Sequence, residues 1–264
     1  RASFEGYAQT PRYAPDDKTI SVLYIEGMPR VAGPLQPMTP LAGVVGSKIY
    51  EQRLTTIDLA SNKLTQISPA DVYVYEYDWL PDSSGWIGTA AHGSGDNNWW
   101  IARLYAIDGR TGNMRGIYKP KWQIAEPHVC PDCKSVALIE GLMSDEGLTG
   151  GEVMLVPTNG GAARNLTPAI HTSPSSLSWN SNDRISMVAN SDGRSAYMVL
   201  NTAGLKPGAH WNGWTGEEVI GTQTDVWVPS ASFSRDGSAS AVVRQSSKNP
   251  PEVWAGSTGK WKQV

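Results

Sequence analysis

Short apolar runs alternate with polar, turn-forming stretches along the whole chain, and no window shows the 3.6-residue period of an amphipathic helix. The clearest example is a group of four apolar or alternating segments. These segments cover residues 124–129, 135–139, 152–156 and 163–167. The last two are joined by Asn159-Gly160, and Asn-Gly between two such segments is a strong signal for a hairpin turn. The pattern predicts four antiparallel strands in this part of the chain.

The same pattern recurs five times, and each copy carries an Asp or Asn turn that follows an apolar or aromatic residue. The turn residues are Asp16, Asp82, Asp132, Asn182 and Asp236. Apart from a longer first interval, they lie about 50 residues apart, which is typical of a supersecondary unit that stacks on copies of itself. We interpret the turn acids as caps of their own backbone, which is the usual role of Asp and Asn at such positions.

Four antiparallel strands in each period of 40 to 50 residues are typical of a β-propeller blade. We therefore predict an all-β fold, a β-propeller of four-stranded antiparallel blades with five repeats visible. The expected blades cover residues 7–68, 72–119, 123–168, 174–221 and 228–264 of a single propeller domain. The extra length of the first repeat lies at residues 28–47, where four prolines predict a long loop between its second and third strands.

Composition agrees with this prediction and excludes several functions. The chain has 27 Gly, 18 Pro, 11 Trp and 10 Tyr but only 2 Phe, a mixture that favours turns and half-buried strands. The net charge is −3 and no basic block is present, so we predict no nucleic-acid binding. No run of about 18 apolar residues exists, so we predict no membrane span. The N-terminus has no signal-peptide pattern, and the sequence assigns no compartment.

The sequence motifs within the repeats resemble those of a known family. Residues 77–82, 156–167 and 233–237 resemble the Trp-Ser-Pro-Asp-Gly and Gly-Gly-x-x-x-x-Leu-Thr blade motifs. These motifs recur in the N-terminal propeller of prolyl oligopeptidase-family serine peptidases, the acylaminoacyl and dipeptidyl peptidase branch, and TolB-like propellers share them. The resemblance covers essentially the whole chain.

The resemblance implies a propeller that caps an α/β-hydrolase domain of the same polypeptide and admits only short peptides as substrates. The hydrolase domain needs a Gly-x-Ser-x-Gly elbow, and the nearest fragment, Gly93-Ser94-Gly95, lacks that spacing. We therefore expect no catalytic residue in this chain and a hydrolase domain outside it. Since the family usually has seven or eight blades, the ring either closes with five or includes further blades, and we favour the second.

Two other functions stay open at this stage. The first is a TolB-like propeller that acts as a scaffold for protein partners. The second is a glycosidase-like propeller with paired channel carboxylates, which ranks last. Its candidate acids are Glu76, Asp78, Glu126 and Asp225. A Gly-x-Ser-x-Gly elbow encoded soon after Val264 would favour the peptidase.

The candidate substrate-binding residues are Glu76, Trp99 and Trp100. Glu76 lies in the expected first strand of the second repeat, and first strands line the central channel of a propeller. The resemblance to dipeptidyl-type peptidases implies that it could pair with the free amino group of a peptide, although a solvated strand residue is the simpler interpretation. Adjacent strand residues face opposite sides, so one Trp should be core and the other exposed, available for inter-blade packing or for a substrate or partner domain.

Cys130 and Cys133, with His128 nearby, have a spacing that suits zinc or redox exchange. Structural zinc needs four protein ligands, however, and the chain has no second Cys pair. Both cysteines occupy ordinary turn positions, those of Leu80 and Ser83 in the second repeat. We therefore favour a local disulfide or two thiols over a metal or redox site, and we predict no metal site and no cofactor.

Overall fold

The computed structural model describes residues 5–27, 50–93, 96–209, 213–222 and 229–264. Within these residues, every regular element is a β-strand except one 3-10 turn at Asp96–Ile101. The loop expected at residues 28–47 and the carboxylate of Asp225 lie outside the described residues.

The strands form five antiparallel sheets. The first contains β1 (Gly6–Tyr13), β2 (Thr19–Glu26), β3 (Arg53–Asp58) and β4 (Leu64–Gln66). The second contains β5 (Val72–Trp79), β6 (Gly85–His92), β7 (Arg103–Asp108) and β8 (Met114–Tyr118). The third contains β9 (Gln123–Val129), β10 (Ser135–Gly141), β11 (Glu152–Pro157) and β12 (Arg164–Asn165). The fourth contains β13 (Ser173–Ser181), β14 (Arg184–Ser191), β15 (Arg194–Asn201) and β16 (Trp214–Gly216). The fifth contains β17 (Val219–Gly221), β18 (Ser232–Phe233), β19 (Ala239–Gln245), β20 (Glu252–Ser257) and β21 (Lys262–Gln263).

In each of the first four sheets the strands pair in chain order, which is the arrangement of a propeller blade. The predicted all-β propeller of four-stranded blades is confirmed. In the fifth sheet two short strands, β17 and β18, both pair with β19 and share the place of a first strand. Residues 219–221, which the sequence placed with the fourth repeat, belong by this pairing to the fifth blade.

The chain divides into two compact units, and the first ends at Arg115, within β8. Its core is built from apolar side chains of the first two blades. Trp79 and Trp86 lie at its centre with their ring centroids 4.3 Å apart, and both are at least nine-tenths buried. Leu23, Leu54 and Ile107 pack in the same cluster. Each such side chain contributes about 1.5–3 kcal/mol by leaving water.

The second unit begins at Gly116 and contains the last three blades. One of its clusters joins the fourth and fifth blades through Val188, Ile220 and Val242. Trp261 closes the cluster, with its ring edge-on to Trp214 at a centroid distance of 4.9 Å. Its indole nitrogen donates to the hydroxyl of Ser240 at 2.7 Å, so this buried donor is satisfied.

The aromatic residue before the repeated turn has a definite structural role. The indole nitrogen of Trp79 donates to the carbonyl of Arg12 in the preceding blade at 3.3 Å. The indole nitrogen of Trp179, in the fourth blade, makes the equivalent bond to the carbonyl of His128 in the third blade at 2.9 Å. Arg12 and His128 hold the same position in their repeats. In these two repeats the tryptophan therefore hydrogen-bonds its blade to the preceding one.

Four of the five repeated turns, those at Asp16, Asp82, Asp132 and Asp236, share one conformation, and the prediction that their acids cap the backbone is confirmed. The carboxylate of Asp82 accepts the N–H of Ser84 at 3.0 Å, and that of Asp132 accepts the N–H of Lys134 at 2.9 Å. The residue after the acid lies in the left-handed region in four blades. These residues are Asp17, Ser83, Cys133 and Gly237, with φ of 58°, 61°, 61° and 67°.

Candidate functional site

The first strands of the blades carry β-bulges that change which residues share a face. In β5 the register shifts between Val74 and Glu76, so Tyr75 is the extra residue. The half-buried residues of β5 are consequently Tyr73, Glu76 and Asp78, because the alternation between the two faces of the strand is interrupted at Tyr75. The bulge therefore brings a polar pair to the partly exposed side of this strand.

Glu76 is held in place by its neighbour on β6. The hydroxyl of Thr89, a fully buried residue, donates to the carboxylate of Glu76 at 3.2 Å. The same two residues are directly opposite in the β5–β6 ladder. One carboxylate oxygen of Glu76 is thus oriented by the sheet itself, which leaves a half-buried, positioned acid on the first strand of the second blade.

Asp78, two residues further along β5, pairs with a cation. Arg12, on β1, places a guanidinium nitrogen 3.2 Å from a carboxylate oxygen of Asp78, and the two side chains are 42% and 20% exposed. The guanidinium carbon also lies 5.7 Å from the centroid of the Tyr77 ring. Arg12 is the only arginine of strands β1 and β5, and its charge is balanced by that of Asp78.

Trp99 and Trp100 lie in the 3-10 turn between β6 and β7, not on a strand as expected. The expected difference in burial is nevertheless present, since Trp99 is 3% exposed and Trp100 is 47% exposed. Their rings meet edge to face at 5.1 Å. The turn packs against β5 and β6, and the amide of Asn98 donates to the carbonyl of His92 at 3.1 Å. Trp99 anchors the turn, and Trp100 is presented to solvent.

In the second unit, the first strand of the third blade carries a pair that the sequence ranked low. His128 Nε2 lies 3.2 Å from a carboxylate oxygen of Glu126, and both side chains are about two-thirds buried or more. Glu126 has a φ of 55°, which is unusual for a long side chain within a strand. Thr10 in β1 has a φ of 49° and also precedes a proline, so the feature repeats.

Two signals could have drawn attention to Glu126. It occupies the repeat position of Glu76, six residues before the turn acid. It is also followed by Pro127, and a proline inside a strand marks a bulge because it cannot donate to the ladder. Neither signal shows the left-handed conformation or the bond to His128, which depend on the folded strand.

Cys130 and Cys133 are both free thiols in the third-blade turn. Burial is the main cause that raises the pKa of Cys130 to about 11, so its thiolate is scarce at neutral pH. Its sulfur lies 3.8 Å from the carbonyl oxygen of Asn182 in the turn of the next blade. Cys130 therefore packs one blade turn against another.

The described part of the chain contains no group of three or more His, Cys, Asp or Glu side chains arranged to hold a metal ion. It also contains no helix long and apolar enough to cross a membrane.

The fold has clear relatives among solved structures. An oligogalacturonate lyase in complex with manganese matches with a TM-score of 0.67 and 15% identity, over 99% of this chain and 66% of that one. A prolyl endopeptidase matches with a TM-score of 0.60 and 20% identity, over 99% of this chain and 35% of that one. TolB from Acinetobacter baumannii matches with a TM-score of 0.58 and 15% identity, over 98% and 54%. The fold is that of a β-propeller.

These likenesses confirm the resemblance to peptidase and TolB propellers at the level of fold. The chain spans less than two thirds of the length of each of these proteins. No protein-family model matches the sequence, and no curated protein matches it.

Proposed function

We propose that this chain is the non-catalytic propeller of a prolyl oligopeptidase-type serine peptidase, which admits short peptides to an α/β-hydrolase domain. The observation that carries the proposal is the match to a prolyl endopeptidase. Of the three structures compared above it has the highest identity, 20%, although it is not the one with the highest TM-score. The blade motifs at residues 77–82 and 156–167 point the same way.

In the proposed mechanism, the rigid first strands of the blades exclude folded proteins. Antiparallel ladders and buried side chains hold each blade, so the first strands cannot move apart at low cost. A propeller encloses a central channel between its first strands. An extended peptide can enter such a channel or pass its rim, whereas a folded protein cannot. The serine, aspartate and histidine of catalysis would lie in the hydrolase domain, since the sequence has no Gly-x-Ser-x-Gly elbow.

Within this mechanism Glu76 is the residue proposed to bind the amino group of a peptide. Its carboxylate is oriented by the Thr89 hydroxyl. Trp100, 47% exposed, is proposed to contact the substrate or the partner domain. Trp99 contributes by fixing the turn that carries Trp100, since it is 3% exposed itself.

The lyase match suggests a different substrate, an anionic oligosaccharide, and the charges of the first strands speak against it. In the first unit, Asp78 is paired with Arg12, and Glu76 is a second half-buried acid of the same strand. In the second unit, the described first strands carry Glu126 next to His128. A uronate bound at the first strands of either unit would meet a carboxylate, and like charges repel. The peptide proposal avoids this cost because a peptide brings a cationic amino group.

The TolB match supports a second proposal, a scaffold for protein partners. It differs from the peptidase proposal in one consequence, namely the absence of hydrolase activity from the full-length protein. One experiment therefore separates the two.

The experiment labels the full-length protein with a fluorophosphonate probe, which reacts with an activated serine. We expect labelling of one serine outside residues 1–264, in a Gly-x-Ser-x-Gly elbow, with competition by short peptides. Absence of labelling in a folded full-length protein would reject the peptidase and leave the scaffold.

The role of Glu76 is tested in the same protein with a peptide and its N-acetylated form. Glu76→Gln should lower the preference for the free amino group about tenfold, since a charged hydrogen bond contributes about 1.5–3 kcal/mol. Glu126→Gln, at the same repeat position, is the matched control and should leave that preference nearly unchanged. An unchanged preference in Glu76→Gln would remove Glu76 from the site.

A further inference from the structure

Each blade has one equivalent cross-strand pair between its second and third long strands. It is reached by starting opposite the residue that precedes the repeated turn and moving three residues along the second strand. In the first four blades the pairs are Leu23–Leu54, Thr89–Leu104, Ile139–Val153 and Val188–Tyr197. Seven of these eight residues are at most 1% exposed, and Tyr197 is half-buried. This position is therefore covered in each of the first four blades.

The contacts show that the covering residues belong to the following blade. Leu23 and Leu54 pack in one cluster with Tyr77 of the second blade. The ring of Tyr197 stacks on that of Phe233, in the fifth blade, with the two centroids 5.6 Å apart. In the third blade, β10 and β11 likewise lie against β13 of the fourth. The pair thus belongs to the face that a blade turns towards the next one along the chain.

The same position in the fifth blade is open. The pair there is Val243–Val253, of which Val253 is 53% exposed and Val243 is half-buried. The next pair on the same face, Ala241–Ala255, is partly exposed as well. On the opposite face Val242 is 2% exposed and packs in the cluster shared with the fourth blade. We call Ala241, Val243, Val253 and Ala255 the Val253 face.

A backbone acceptor lies beside the Val253 face. The two tryptophan bonds between blades end on the carbonyls of Arg12 and His128. Arg12 and His128 each precede the residue that leads into the repeated turn, and Ser232 holds this position in the fifth blade. Ser232 is exposed and lies opposite Ala241. The fifth blade therefore offers an apolar surface and a carbonyl at the positions where earlier blades accept their successors.

We propose that the Val253 face is the docking surface of a further four-stranded blade, formed by residues of the full-length protein outside residues 1–264. The occupant is chosen by continuity, because the same surface binds a following blade where the contacts of earlier blades are defined. The first strand of the further blade covers Val243 and Val253, and an indole before its own turn donates to the carbonyl of Ser232. The proposal is independent of the peptidase activity, since a scaffold propeller would need the same cover.

A second copy of the chain fits this surface less well. A head-to-tail contact would use the side of the first blade opposite Leu23, where Val22 and Tyr24 are 4% and 3% exposed and so already covered. A twofold contact would place one Val253 face on another. That face consists of alanine and valine, whose side chains carry no donor for the carbonyl of Ser232.

Maleimide labelling of the full-length protein tests whether the face is covered. Val253→Cys should react at least about 100-fold more slowly than Val199→Cys, because a covered strand must open before it reacts. Val199, on β15, is 45% exposed and is the matched control. Mass spectrometry of the peptide that carries each new cysteine keeps Cys130 and Cys133 out of the measurement. Equal labelling rates at positions 253 and 199 would overturn the proposal.

A photo-reactive diazirine amino acid at position 253 of the full-length protein identifies the occupant. Irradiation of a mixture of isotope-labelled and unlabelled protein separates links within one chain from links between copies. We expect a link within one chain to a peptide outside residues 1–264. A link to residues 5–26 would show that the first blade closes the ring, and a link between copies would show a dimer. Either of these two results would overturn the proposal.

Discussion

The strand connections at the two ends of the blades differ in regularity. At one end, where the first strand meets the second, short Asp turns repeat in four of the five blades with the same caps and a left-handed residue after the acid. At the other end, where the second strand meets the third and one blade meets the next, no two described connections are alike. The second blade has a 3-10 turn there, and the connection that leads into the third blade, residues 118–122, is fastened to Glu140.

The difference separates what makes the fold from what distinguishes this chain. The repeated turns carry the period and stay polar, which suits a surface that only has to close hairpins. The irregular ends carry the exposed Trp100, Trp122 and Leu142, and they do so on segments anchored by buried residues. Binding residues are commonly found on loops that a rigid scaffold positions. Trp100, one of the candidate substrate-binding residues, lies at such an irregular end, in the 3-10 turn of the second blade.

The largest expected effect concerns the anchor of the irregular end in the second blade. Trp99→Ala should destabilise the protein by about 4 kcal/mol, because it empties a buried aromatic site. Trp100→Ala, on the neighbouring exposed residue, should cost about 1 kcal/mol or less. Urea unfolding of both variants measures the difference. Equal losses of stability in the two variants would mean that Trp99 is not the residue that anchors the turn.

A slightly smaller effect is expected at the irregular end of the third blade. Glu140→Ala leaves the Tyr118 hydroxyl and two backbone N–H groups without their acceptor, and it should cost about 3 kcal/mol. Glu217→Ala removes a side chain that is 85% exposed in its ion pair and should cost about 0.5 kcal/mol or less. Similar losses in the two variants, measured by urea unfolding, would show that the carboxylate of Glu140 does not organise residues 118–122.

At the repeated end the effects should be smaller and of opposite sign. Cys133→Gly should stabilise the protein by about 1 kcal/mol, since it relieves a left-handed conformation at φ 61°. Gly237→Ala should destabilise it by about 2 kcal/mol, because a Cβ there is strained and also collides with the Asn180 side chain. The unfolding midpoints of the two variants should move in opposite directions. A shift of both in the same direction would contradict a shared turn conformation.

The smallest expected effect is the acid sensitivity of the same turns. Hydrogen bonds from Ser84 to Asp82 and from Lys134 to Asp132 lower the pKa of both carboxyls, and that of Asp236 falls to about 2. Since these pKa values lie below the unfolded value of about 3.9, the carboxylates stabilise the fold above about pH 4. That contribution is lost as the pH falls from about 4 towards 2. A triple Asp→Asn variant at these positions should lose less stability over this range, and an identical pH profile would refute the role of the carboxylates.

The repeated end could be predicted from the sequence, and the irregular end could not. Asp82, Asp132 and Asp236 recur with the period, and their caps involve residues only two positions away, so local chemistry determines them. Glu140 bonds to residues about 20 positions earlier, and its burial depends on how two blade connections meet. The bulge at Glu126 and Pro127 is signalled by the proline, but the left-handed conformation of Glu126 and its contact with His128 depend on pairing with β10. Trp99 was expected on a strand because the 3-10 turn has no short-range signal there.

The central claim, that the propeller restricts a peptidase to short substrates, is tested most directly by substrate length. The measurement is kcat/KM of the full-length protein for a series of substrates that share one cleavage sequence, from short peptides to the same sequence in an exposed loop of a folded protein. We expect efficient cleavage of the short peptides and a fall of at least about 100-fold for the folded protein, which corresponds to about 2.7 kcal/mol of lost transition-state stabilisation. Equal kcat/KM across the series would contradict the claim.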